Sequence, residues 1–357
     1  MDGFPTMGVP DTGDTAWMLA SAALVLLMTP GLAFFYGGMV RAKGVLNMIM
    51  MSISAMGVVT VLWVLYGYSL AFGNDVSNLF GDPTQFFGLK GLIGGNATAA
   101  VVADPTAGVE AADAVNIPLV GTLPATVFVA FQLMFAIITV ALISGAVADR
   151  VKFSGWLLFT GLWVTVVYFP VAHWVFSFDG VTAEYGGWIA NKLKAVDFAG
   201  GTAVHINAGA AALAVALVLG RSATWTSRKP HNVPLTLLGA GLLWAGWYAF
   251  NGGSALAAGK PAAIVMVTSF VATCAATLGW LLVEKFKDGH VTGIGAASGA
   301  ITGLVAITPA CGAVTPVGAI FVGFIPAVIC PFAIGLKHKF GYDDSTDVVG
   351  VHLVGGI

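Results

Sequence analysis

Nine apolar runs, each near twenty residues and separated by short polar linkers, decide what this chain can become. They fall at roughly 16–38, 45–72, 123–147, 154–178, 197–219, 233–256, 261–283, 292–309 and 314–336, and a tenth begins near 346. Twenty helical residues rise about 30 Å, the thickness of a bilayer's hydrocarbon core. Inside that core every backbone N–H and C=O must find a partner within the protein, so each run is predicted to be a helix. Composition agrees. Of the 357 residues 58% are hydrophobic and 9% are charged, whereas a soluble domain carries about 25% charged residues. The predicted fold class is an all-α polytopic membrane protein with about ten transmembrane helices visible. The tenth run stops at Ile357, a few residues past His352, so the chain is expected to be truncated within that helix.

The linkers give an orientation. Those after runs 1, 3, 5, 7 and 9 hold Arg41, Lys43, Arg150, Lys152, Arg221, Arg228, Lys229, Lys285, Lys287, Lys337 and Lys339, eleven of the fifteen Lys and Arg. The alternate linkers hold Lys90, Lys192, Lys194 and Lys260. Basic residues stay on the cytoplasmic side, so the N-terminal segment 1–15 is predicted to lie outside. It has no basic residue before the first run and does not resemble a cleaved signal peptide. The linker 73–122, with Asp75, Asp82, Asp104, Glu110 and Asp113 against a single Lys, reads as an outer loop. The predicted setting is therefore the cell membrane, crossed many times, with the lipid bilayer as partner. A net charge of −2 without a basic cluster gives no reason to expect nucleic acid. Cys274, Cys311 and Cys330 are odd in number and include no C-x-x-C pair, which argues against a disulfide framework or a zinc site.

Two segments can be laid over each other: DFAGGTAVHINAG from Asp197 and DSTDVVGVHLVGGI from Asp344. In each, an Asp stands eight residues before a His, and a Val directly precedes that His. The segments open the fifth and tenth runs. Five is odd, so two five-helix halves, 16–219 and 233–357, would face opposite ways in the membrane. An inverted repeat with working residues near the midplane is a transport architecture. His205 and His352 lie about two helical turns past their Asp, one entering from each side, and are expected to meet in the middle of the bilayer. A lone buried His is usually a structural hydrogen-bonding group. Two at matched positions can share one proton, one nitrogen donating and the other accepting. A low dielectric disfavours a charged imidazole, so both are expected neutral. Such a pair suits a narrow pore for something small that forms hydrogen bonds. Two His are a thin metal-ligand set, and no H-E-x-x-H occurs. His173 reads as structural, and His231, His290 and His338 as solvated linker residues.

At these residues the chain resembles the ammonium transporter family, the Amt/Mep branch, with the Rh proteins as relatives. The resemblance rests on seven motifs in order: TPGLAFFYGGMVRAKGVLNM, FQLMFAIIT, DFAGGTAVHINAG, KPHNVP, GWYAFNGGSA, GAASGAITGLVAITPACG and DVVGVH. It runs from about residue 15 to the end. It implies eleven helices, five plus five inverted and one more, with a pore through each subunit of a homotrimer. It also implies contact with a PII-type regulatory protein through a tail that these residues do not include. An outer aromatic cage with a hydroxyl maps to Phe131 and Ser254. The family's third cage residue, a Trp, aligns with Phe176, with Trp174 and Trp188 as alternatives. Phe135 and Phe250 match two stacked gate phenylalanines. Asp197 matches an acid that supports the outer site from below, and it also suits an N-cap of the fifth helix. Asp344 and Asp347 are expected to cap the tenth.

The function implied is recruitment of ammonium or methylammonium at the cage, its deprotonation, and passage of ammonia, with or without the proton, past His205 and His352. A cation over an aromatic face gains about 0.5–2 kcal/mol, and a bare charge at the bilayer centre costs at least a few kcal/mol. No cofactor, metal or enzymatic activity is expected. A rival reading is an ammonium sensor with the same fold. An intramembrane enzyme fits poorly, since no nucleophile or carboxylate shares a motif with either His.

Overall fold

The computed structural model describes residues 4–94, 116–223, 225 and 229–357. Asp104, Glu110, Asp113 and Arg228 lie outside the described residues. The helices that fall on the apolar runs are α1 (Thr12–Met39), α2 (Ala42–Phe72), α3 (Ala125–Val147), α4 (Phe153–Phe176), α5 (Gly201–Leu219), α6 (Val233–Gly253), α7 (Lys260–Asp288), α8 (Gly293–Ile307), α9 (Pro316–Phe340) and α10 (349–356). Eight of them are long and apolar enough to cross a membrane, and α8 is shorter at fifteen residues. Each falls on one of the ten apolar runs.

Local chemistry sets the ends. Asp11, Asn232, Thr292 and Thr315 accept backbone N–H groups at the starts of α1, α6, α8 and α9, satisfying donors that a helix cannot pair internally. Proline at the first turn opens α6, α7 and α9, where its missing N–H costs nothing. Gly289 and Gly341 end α7 and α9 in the left-handed region. Two starts differ from expectation. The third apolar run begins at 123, but Leu123–Pro124 is a strand (β5) paired with Ile117–Val120 (β4), which pairs in turn with Thr6–Gly8 (β1). The fifth begins at 197, but residues 197–200 form a turn that caps α5. A second small hairpin joins Asp75–Val76 (β2) to Phe80–Gly81 (β3).

Contacts among the linkers fall into two groups, one at each end of the helices. In one, Arg41 pairs with Asp149 at 2.9 Å, Arg150 donates to the carbonyls of Gly220 and Asp343, and Arg221 donates to the carbonyl of Gly341. These contacts gather the ends of α1, α3, α5 and α9. In the other, Asp14 accepts from the backbone of Ala258, and Phe198 donates to the carbonyl of Pro309.

Two crossings bring backbones together. A Cβ on Gly239 of α6 would collide with the backbone of Phe35 on α1, and one on Gly209 of α5 with the backbone of Leu353 on α10. The second crossing places His205 against His352. Both lie in wide π-type turns, Gly201–Ile206 and Val349–Leu353, at the starts of their helices. Such turns are rare and concentrate at functional sites.

Candidate functional site

Three cavities follow one another through the molecule. The outer one, about 340 Å³, is lined by Phe128, Gln132, Phe135, Phe176, Phe178, Thr182, Asp197, Phe198 and Ser254, among others. The middle one is small, about 10 Å³, and is lined by apolar residues with His205, His352, Trp247 and Phe250. A polar inner cavity of about 290 Å³ contains Lys337, Asp343, Asp344 and Asp347.

Phe135 and Phe250 divide the outer cavity from the middle one. Their rings lie 4.2 Å apart at 31°, and both are fully buried. Ser254 is the C-cap of α6, and its hydroxyl donates to the carbonyl of Phe250 at 2.7 Å. That bond uses its only proton, so toward the cavity the oxygen presents lone pairs. Phe176 lies on the cavity wall. Trp174 does not: its indole N–H donates to the carbonyl of Leu79 at 2.7 Å, and its ring packs 6.0 Å from Trp188. Phe131 is buried and packs against Phe135, with ring centroids 4.9 Å apart at 64°.

Asp197 accepts every leading amide of α5. One oxygen takes the N–H groups of Gly200 and Gly201 at 2.8 and 2.6 Å, and the other takes those of Thr202 and Ala203 at 2.8 and 3.3 Å. A carboxylate at a helix N-terminus also meets the positive end of the macrodipole. Its counterpart is less complete. Asp344 accepts from Val349 N–H at 2.7 Å through one oxygen, while the other is buried without a partner among the described residues. Burial, with Asp347 nearby, pushes the Asp344 carboxyl above the usual carboxylate range. Asp347 does not cap α10 with its side chain as expected. It sits at φ 66°, and its carboxylate takes the Lys337 ammonium at 2.5 Å.

The two histidines meet through Nδ1, 3.3 Å apart, with rings 5.3 Å between centroids. Two nitrogens at hydrogen-bond distance require one proton between them. Trp247 stacks on His205 at 5.1 Å and Phe250 lies 6.0 Å away. The Nε2 of His205 has no protein partner among the described residues and borders the small cavity, so it can bind one small hydrogen-bonding molecule. No group of three metal-ligating side chains occurs among the described residues.

Sequence reasoning missed several wall residues. Phe128 and Gln132 stand with Phe135 at i, i+4 and i+7 on α3, a stripe that helical periodicity could have found. Phe178, Thr182 and Phe198 come from the connection between α4 and α5, where no period marks which side chains turn inward. His173 is buried, as a structural role requires, with both ring nitrogens bonded. His231 and His290 are exposed, and so is His338, which belongs to the last turn of α9 rather than to a linker.

A polytopic all-α membrane protein with a narrow, histidine-lined passage between two cavities is built as a transport protein rather than an enzyme. The profile described as Ammonium Transporter Family matches residues 16–357. The ammonium transporter of Mycobacterium tuberculosis strain H37Rv is 69% identical over 359 residues, covering 100% of this chain and 74% of that protein. That of Aquifex aeolicus is 49% identical, covering 97% and 75%. Among solved structures, Candida albicans Mep2 superposes with a TM-score of 0.83 at 35% identity, covering 97% of this chain and 71% of that one. A sensor Amt protein superposes with a TM-score of 0.83 at 25% identity, covering 96% and 80%. The chain belongs to the ammonium transporter family.

Proposed function

We propose that this protein carries ammonium across the cell membrane, recruiting the ion in the outer cavity and passing ammonia along the histidine pair. The supporting observation is the sequence of three cavities, with a stacked Phe135–Phe250 pair and a nearly closed apolar bore between two roomy polar-edged ends. Ammonium has four N–H donors and no acceptor. In the outer cavity it would rest on aromatic faces, Phe176 and Phe135 first, and donate to the lone pairs of Ser254. Asp197 supports the site electrostatically from below while its oxygens stay on the α5 amides. Phe131, packed against Phe135, completes the aromatic surround. Below the gate the bore offers little to a full charge, so the proton is released at or just under Phe135 and Phe250. Ammonia then exchanges hydrogen bonds with His205 and His352 and is protonated again at the inner cavity.

The same reading places α1–α5 and α6–α10 as two halves of opposite orientation, with the basic face cytoplasmic and the N-terminus outside. A homotrimer and a PII-type partner are the assembly that goes with it. Sensing, the role in the name of the sensor Amt protein, is the alternative use of this fold, but the curated relatives named above are transporters and share far more sequence.

The test uses the full-length protein in proteoliposomes on a solid-supported membrane. An ammonium jump should give a saturable signal that both Asp197→Ala and His205→Ala abolish. Current signifies net charge transfer, and an alkaline lumen without current signifies net ammonia. Ammonium binding without either signal would overturn transport in favour of sensing.

A further inference from the structure

Trp247 lines the middle cavity and lies nearly parallel to His205, the rings 5.1 Å apart at 23°. Its polar edge points elsewhere. The indole Nε1–H donates to the hydroxyl of Thr308 at 2.9 Å. Thr308 is fully buried at the C-terminal end of α8 and does not line that cavity. An indole N–H is a donor only, so this one bond fixes how the ring is presented: its face to the histidine, its N–H to α8.

Thr308 can accept because its own proton is already taken. That proton goes to the carbonyl of Leu304, one turn earlier, at 2.7 Å, with Oδ1 of Asn251 as a second acceptor at 3.3 Å. Asn251, one turn beyond Trp247 on α6, donates to the hydroxyl of Ser269 on α7 at 2.8 Å. All four side chains are buried. The joint ties α6, α7 and α8 together and turns oxygen lone pairs toward Trp247.

The consequence for the bore follows from what is left to line it. Apart from the two histidines and Trp247, every residue around the middle cavity is apolar. The histidines spend their Nδ1 atoms on each other, and Nε2 of His205 has no protein partner among the described residues. The space, about 10 Å³, holds about one water, and a buried water needs about two to four polar partners to stay. An apolar constriction of this kind sheds water. A free indole N–H beside His205 would be a second anchor, and water would settle there.

We propose that Thr308 is a positioning residue that sets the selectivity of the passage: by taking the indole N–H of Trp247 it withholds a water anchor from the bore, so that ammonia passes and a proton-conducting file of water does not form. The cargo named here rests on the transport reading; the withheld N–H does not.

The experiment uses the full-length protein in ammonium-free proteoliposomes loaded with a pH-sensitive dye, with a valinomycin-set potassium diffusion potential driving protons inward. Thr308→Val keeps the side chain's shape and removes its hydroxyl, so protein-dependent acidification should rise at least threefold over wild type. Thr308→Ser keeps the hydroxyl and should stay within twofold of wild type. Trp247→Phe has no N–H to release, so adding Thr308→Val to it should change acidification less than twofold. A threonine that only fills space would not give this pattern. Unchanged acidification in Thr308→Val would overturn the proposal. So would a rise that Thr308→Ser shares, or one that persists in the Trp247→Phe background, since loosened packing would then be the cause. If Thr308→Val does not elute as a single species on size exclusion, Thr308→Ala and its combination with Trp247→Phe are scored the same way. An ammonium jump on the wild-type vesicles judges transport separately: no ammonium signal would remove that reading whatever the proton leak does.

Discussion

Phe176 carries a residue-scale question with a measurable answer. It occupies the wall where the resemblance expects a Trp, while Trp174 is turned to the hairpin and Trp188 packs against Trp174. Cation–π attraction is strongest over an indole, and it ranges from about 0.5 kcal/mol in water to about 2 kcal/mol when desolvated. Phe176→Ala should therefore raise the half-saturating ammonium concentration by roughly 2- to 30-fold, and Phe176→Trp should lower it. Trp174→Ala should leave it within twofold. Concentration dependence of the ammonium-jump signal checks all three, and a larger effect from Trp174→Ala than from Phe176→Ala would move the cage to the wrong tryptophan's side of α4. The alignment alone left this choice open because Phe176 and Trp174 lie two residues apart, about 200° around a helix. One of them had to point away, and only the fold says which. The histidines were different. Their matched Asp and Val neighbours predicted a meeting across 147 residues, and the 3.3 Å Nδ1 contact is that meeting.

At the scale of the element, α5 and α10 begin with the same sequence device and unequal hydrogen bonding. Asp197 fills both oxygens with four amides, so Asp197→Asn keeps one acceptor and turns an NH₂ toward N–H donors. Unsatisfied buried donors cost about 1–3 kcal/mol each. The variant should lose several degrees of thermal midpoint in detergent along with transport. Asp344→Asn should behave in the opposite way. Its carbonyl can still accept from Val349, and the spare oxygen of Asp344 has no partner among the described residues to lose. A carboxyl raised above its unfolded value binds its proton more tightly in the native state, so native stability falls as pH rises from about 4 to the raised value. Asp344→Asn does not titrate. Its midpoint should match or exceed wild type at pH 7.5, and the advantage should shrink by pH 4.5. A midpoint below wild type at pH 7.5 would show that the ionised carboxylate is stabilised after all. Both aspartates read from sequence as caps of equal standing, because the eight-residue spacing to His is the same. The difference arises from the residues on the C-terminal side of each Asp. Gly200 and Gly201 let the backbone fold its amides around one carboxylate, whereas Asp347 is drawn off to Lys337.

Across the whole molecule, the apolar runs were enough to place ten helices. Hydropathy has a long period and survives the noise of single residues. The cavities are another matter, since they depend on which few side chains of each helix point inward and on a 177–200 connection with no periodic pattern. Their succession leads to a selectivity argument. A middle space of about 10 Å³ has room for about one water. Potassium, close to ammonium in size, must keep several oxygen ligands to shed its hydration shell. Beyond Ser254 the wall from Phe135 and Phe250 to Trp247 offers rings, and the histidine pair offers nitrogens that donate or accept single hydrogen bonds. Ammonium can escape this penalty by leaving its proton behind, and potassium has nothing to leave. A potassium jump on the proteoliposomes that respond to ammonium should therefore give no protein-dependent signal, and excess potassium should compete only weakly for the outer cavity. A potassium current comparable to the ammonium signal would mean that the bore carries hydrated ions, and deprotonation at the gate would no longer be needed to explain passage.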